Sequence, residues 1–155
     1  MRRLSLLLVL LLAFCKSPQP GTSRTASIPG HGAISISIVP NPIVATQVSG
    51  NTYDFPFDIV VRETGGRAVT ISRVSATVYG VAGVQLASES WDAARINAAG
   101  YVTNLPGNGE LRYHFAPRKS VPNEIFNGVR AEVRVDAFDE TATPTSATTV
   151  ITVTR

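Results

Sequence analysis

The chain is poor in the residues on which small exported folds and most active sites rely: among its 155 residues are one cysteine, one tryptophan and two histidines. A lone Cys15 cannot form an intrachain disulfide, so any fold must be held by its core. Two histidines leave little for acid–base or metal chemistry. No HExxH or CxxC spacing occurs, and no glycine-rich phosphate loop follows a strand pattern. A charge excess is missing too. The net charge is +3, but Arg2, Arg3, Lys16 and Arg24 precede the patterned region, and from Gly32 onward ten basic residues face eleven acidic ones. Nucleic-acid backbones need a patch of one sign, so that partner class is excluded as an expectation.

The single long apolar run, Leu4 to Phe14, follows the basic start Met1-Arg2-Arg3. It is about half of the roughly 20 residues that span a bilayer as a helix. A basic start and a short apolar stretch form the pattern of an export signal. Two processing sites fit. Leu12-Ala13-Phe14-Cys15 resembles the lipobox of bacterial lipoproteins, which implies Cys15 as a lipidated first mature residue; Phe14 departs from the small residue that family carries there. Ordinary cleavage after Cys15 instead reads Ala13 and Cys15 as the small residues of the site. The polar, Pro-rich stretch that follows suits a tether. Residues 1–15 are therefore read as a signal segment, 16–31 as a flexible linker and 32–155 as one folded domain.

Beyond the linker, period-two alternation dominates. Ile34, Ile36 and Ile38 alternate with serines, and Tyr53, Phe55, Phe57, Ile59 and Val61 share one face opposite Asp54, Asp58 and Arg62. A strand gathers such residues on one side, whereas a helix scatters them. Pro56 marks an edge or bulge, and Thr64-Gly65-Gly66 a turn. In Ala68–Tyr79 the phase set by Val69 and Ile71 slips to that of Val74, Ala76 and Val78, which predicts a bulge or a sheet crossing near Ser72-Arg73. Val84–Ala87 reads as a short strand, and Ser90–Ile96 as a helical turn with Trp91 and Arg95 on one side. Leu105–Gly109 is a turn, and Leu111, Tyr113 and Phe115 form a strand. Val129 to Val135 alternates with charges, a loop is expected over Phe138–Thr145, and Ala147–Thr154 is β-branched. About seven short strands with turns between them predict an all-β sandwich.

Tyr53–Gly66 followed by Val69–Val78, and Leu105–Gly109 ahead of Leu-Arg-Tyr-His-Phe, resemble the hairpins of bacterial immunoglobulin-like adhesion and accessory domains. The resemblance spans Ile34–Arg155. It implies an immunoglobulin-like β-sandwich engaged in protein or glycan contacts at a cell surface, and carries over no functional residue. The paired cysteines and strand-borne core tryptophan of antibody-type domains are absent, with Trp91 expected in an irregular region.

No catalytic residue, cofactor or metal site emerges from the pattern. His31 falls in the linker, and His114 is expected to point outward from a strand without a triad frame. Asp136, Asp139 and Glu140 crowd one loop and offer hard oxygens for Ca²⁺, although three carboxylates fall short of the usual ligand count. Trp91 and Tyr101 offer a stacking surface, against which stands the reading that Trp91 covers the end of the core. The sequence thus supports a non-catalytic binding or structural module of the cell envelope, lipid-anchored, periplasmic or secreted, whose partner is an unidentified protein or glycan. Its rivals are a small envelope enzyme and a strand-exchanging subunit that uses the Ile34 or Ala147 segment as an open edge.

Overall fold

The computed structural model describes Gly21, residues 23–122 and residues 128–155. Residues 1–20, which hold the expected leader, Cys15 and the first part of the linker, lie outside the described residues. Two β layers enclose the core. The larger runs in the order β1 (Arg24–Ala26), β13 (Pro144–Thr154), β12 (Arg130–Asp139), β7 (Val69–Tyr79) and β8 (Gln85–Asp92), each antiparallel to its neighbour. β3 (Ile43–Val44) adds in parallel to the end of β13, and β9 (Asn104–Leu105) pairs with the start of β7.

The second layer pairs β10 (Glu110–Phe115), β6 (Phe57–Glu63) and β2 (Ile34–Val39). Past Pro56 it continues as β11 (Arg118–Ser120), β5 (Thr52–Asp54) and β4 (Thr46–Ser49), the halves joined where Phe55 N donates to Pro117 O at 3.0 Å. Pro56 lacks an N–H to continue the ladder, and the strand breaks beside it. This is the all-β, two-layer sandwich expected from the alternation.

Period two carries through to packing. On β12, Ala131, Val133, Val135 and Ala137 are buried while Arg130 and Arg134 face solvent. The phase slip on β7 is a bulge: Arg73 faces Asp136 and Ile71 faces Ala137, so Ser72 is left over, and its Oγ donates to the Asp136 carbonyl at 3.1 Å.

Several expectations change. Arg24–Ala26 forms a strand rather than linker, because β13 offers a free edge there. β13 begins at Pro144, which shortens the loop expected over Phe138–Thr145. The strand expected over Val84–Ala87 runs on to Asp92, so Trp91 sits in a ladder opposite Val74, and helix α1 starts only at Ala93 and runs to Ala98. Asp92 caps it, its carboxylate accepting from Arg95 N at 2.8 Å. Of the two expected open edges, the Ala147 segment is interior to its sheet, whereas β2 is an edge paired only with β6 among the described residues and partly met on its outer side by side chains. Ala147 lies between β1 and β12. On β2, Ile36 N donates to Ser23 Oγ, and the Ile34 carbonyl accepts from Thr25 Oγ1. β8 likewise pairs only with β7 among the described residues.

One pole is closed by two buried carboxylates. Glu63 accepts four backbone N–H groups, from Ala33 and Gly65 on one oxygen (3.1 and 2.7 Å) and from Gly66 and Asn108 on the other (2.8 and 2.9 Å). Gly65 must lack a side chain, since a Cβ there would lie 2.3 Å from the His31 carbonyl. Asp139 accepts from Thr141 N and Oγ1 and Thr143 N on Oδ1, and from Gly32 N at 3.2 Å and the His31 ring at 3.0 Å on Oδ2. Burial alone would raise the pKa of each carboxyl, but the donors outweigh it and hold both below their ordinary values.

Replacing Glu63 by Gln sets an NH2 against backbone N–H groups and is expected to lower the unfolding free energy by at least about 2 kcal/mol, read from urea melts. Because both folded pKa values are depressed, their stabilisation is complete above the ordinary 4.5 of Glu and 3.8 of Asp and is lost as pH falls below them. The urea midpoint should therefore drop between about pH 5 and pH 2, less steeply in Glu63→Gln.

Candidate functional site

The two ends of the sandwich are packed differently. At the carboxylate pole, Ile34, Ile59, Val61, Ile71, Val74, Leu105 and Val135 are fully buried. Toward the other pole the inward positions of the large layer carry Ala76, Val78, Ala87 and Ala131, which are neighbours across β7, β8 and β12. Alanines cannot reach across the roughly 10 Å between packed sheets. The opposite layer presents Phe55 and Phe57, and a recess of about 360 Å³ remains between them.

That volume lies in the range of small-molecule sites. Beside the residues just named, the recess is lined by Ile43, Leu86, Val121, Val129, Val133 and Val153, with Lys119 and Glu89 among its few charged groups. Glu89 is neutralised by Arg95 at 2.9 Å. Lys119 is exposed and makes no ion pair among the described residues, whereas its neighbour Arg118 forms a two-point pair with Asp54 at 2.7 and 2.9 Å. Hydrogen bonding from that guanidinium holds the Asp54 carboxyl below its usual range.

Trp91 stands at the side of the recess, its ring 4.7 Å from that of Phe115 and under the Arg95 guanidinium at 5.5 Å. The expected Trp91–Arg95 proximity is present, as is the role of Trp91 as a partial cover for the core. Tyr101 goes elsewhere. It meets Tyr113 edge-on at 5.6 Å, and its hydroxyl donates to the His114 carbonyl at 3.0 Å, so the two aromatics form no joint stacking surface. Tyr113 donates to the Val102 carbonyl at 3.0 Å, and burial pushes its pKa up to about 12. Together these tyrosines pin the segment after α1 over the edge of β10.

The remaining sequence candidates are accounted for by local pairs. His114 projects into solvent and bonds Asp58 at 2.7 Å, which Arg112 also contacts at 2.9 Å. His31 is not free in a linker but held on Asp139. The three carboxylates considered for Ca²⁺ diverge: Asp136 pairs with Arg134, Glu140 with Arg67, and Asp139 is committed to five protein donors. Among the described residues no cluster of metal-ligating side chains is assembled. A shallower depression of about 620 Å³ lies beside Arg73, Arg134 and Phe138. It is an open strand surface, whereas the inter-sheet recess is walled by both layers.

Fold and recess together define a two-layer β module with a ligand-sized apolar opening at one end. No protein-family model and no curated protein matches the sequence. Among solved structures, a structural-genomics target superposes with a TM-score of 0.54 at 10% identity, covering 82% of this chain and 90% of its own. A Bordetella pertussis protein named ApaA superposes at 0.52 and 11% identity, covering 90% of this chain and 99% of its own. At such identities the likeness is one of fold alone.

Sequence reasoning missed the recess: inward alanines were visible, but Ala137 and Ala147 are equally inward at the packed end, so only the strand register singles out Ala76, Ala87 and Ala131. If it is free volume, Ala131→Val should raise the unfolding free energy by about 0.5–1 kcal/mol in urea melts. The same change at the fully buried Ala147 should lower it by about 1–3 kcal/mol through overpacking.

Proposed function

We propose that this chain is an exported, non-catalytic binding module of the bacterial cell envelope, of the immunoglobulin-like class found in secreted proteins and lipoproteins, and that it engages its ligand or partner in the inter-sheet recess. The observation that carries the reading is the apolar opening itself: a space of about 360 Å³ in a fold whose other end is packed tight. Catalysis finds little support, since among the described residues the titratable side chains around the recess are Lys119 and a Glu89 already paired with Arg95. A pocket for chemistry would gather several such groups. Protein or glycan contacts at the envelope remain part of this reading.

Trp91 is the single tryptophan and lines the recess, so it reports on occupancy. An uncharged hydrophobic dye such as Nile red should bind the mature chain saturably, accept energy from Trp91, and lose affinity at least about tenfold when Ala131→Phe fills the space. A dye that ignores the filled variant would remove the recess from the proposal. For the address, the protein from its native membrane fraction is expected to carry a diacyl or triacyl mass on Cys15. An unlipidated amino terminus at Lys16 would remove the tether and leave a free exported module.

A further inference from the structure

The recess carries a more specific assignment, which rests on the binding reading above. We infer that its occupant is a free single-chain amphiphile with an anionic head and an alkyl tail of about twelve carbons. Three observations converge on this chemistry.

The first is size and lining. A methylene takes up about the volume of a water molecule, roughly 30 Å³, so the 360 Å³ recess is of the size of a single medium-length tail. Its walls are aromatic and aliphatic from both layers, with Phe55 and Phe57 facing Ala76 and Ala131. A flexible apolar chain gains from such a space without needing hydrogen-bond partners inside it.

The second is charge. Among the described residues, Lys119 is the one cation lining the recess and makes no ion pair, while Arg118 and Arg95 are committed to Asp54 and Glu89. A head group of negative charge satisfies it, and one of positive charge does not.

The third is the course of the chain. Gly21 N donates to Val150 O at 2.6 Å, and the antiparallel pairing of β1 carries the backbone, followed toward its start, along β13 in the direction of Val153, a recess residue. Six residue steps separate Cys15 from Gly21, a reach of at most about 20 Å. A lipid on Cys15 would thus keep Gly21 and the adjoining end of β13 within that reach of the membrane, where single-chain amphiphiles partition.

The test follows Trp91 emission in the mature chain, titrated below micellar concentration. Dodecanoate should shift the emission to the blue with one-to-one saturation. Affinity should rise about fourfold per added methylene from octanoate to dodecanoate, then level off once the tail outgrows the space. Lys119→Glu, an exposed change that spares the core, should weaken dodecanoate at least about fivefold and leave dodecanol unchanged. Equal or tighter binding of dodecyltrimethylammonium, a flat chain-length series, or an unaffected Lys119→Glu variant would overturn the inference. So would a response to anionic phospholipid vesicles without one to dodecanoate. Dodecanoate binding that arises only in a Phe126→Ser variant would name the chain's own residues 123–127 as the occupant and would likewise overturn it. Nile red binding that persists while dodecanoate fails would sink the amphiphile and keep the recess as a site; loss of both would sink the binding reading as well.

Discussion

The structure hangs on the capture of backbone N–H groups by the buried carboxylate of Glu63. A sandwich without a disulfide must fix the entry of β2, the exit of β6 and the entry of β10 by other means, and Glu63 touches all three through Ala33, Gly65, Gly66 and Asn108. Asp139 does the same for the chain around Gly32 and for the turn into β13. The two act as non-covalent staples at one pole. Each is worth having buried only because every lone pair facing the protein meets a donor; an ionised carboxylate left bare there would destabilise the fold. Since the adjoining amides of Gly32 and Ala33 go to different carboxylates, the register of β2 is fixed by side-chain chemistry as well as by the packing of its isoleucines.

That anchoring allows asymmetry. One half of the interior is filled by fully buried β-branched and aliphatic side chains such as Ile34, Ile59, Ile71 and Leu105. The other half can leave Ala76, Ala87 and Ala131 short of the opposing phenylalanines and keep a space open. Binding sites in rigid sandwiches are usually sought in the loops at the poles. Here the candidate lies between the layers, with Trp91 and Lys119 at its margin.

Alternation made the layers legible, because inward and outward side chains differ in type at nearly every step from Ile34 to Ile38 and from Val129 to Val135. The slip at Ser72-Arg73 could be read as a bulge for the same reason. Other features were hidden by long-range pairing. Arg24–Ala26 has no strand pattern and takes its structure from the edge of β13. Ser88 to Asp92 is polar enough to pass for a loop, yet it is an edge strand, where one side is free to be wet. Glu63 gave no signal and Asp139 counted only as one of three loop carboxylates, since local sequence cannot show that amides from distant segments converge on them. His31 was misplaced with the linker for the same cause. The recess was legible only in part: the alanines are visible, but their adjacency needs the register of three strands.

The exposed rim of β8 has a further consequence. It is eight residues long and unpaired on its outer side among the described residues, with Val84 and Leu86 bare near its start. Such rims invite other chains. A chain docking there would lengthen the large layer by one strand and lie beside the margin of the recess formed by Leu86 to Glu89.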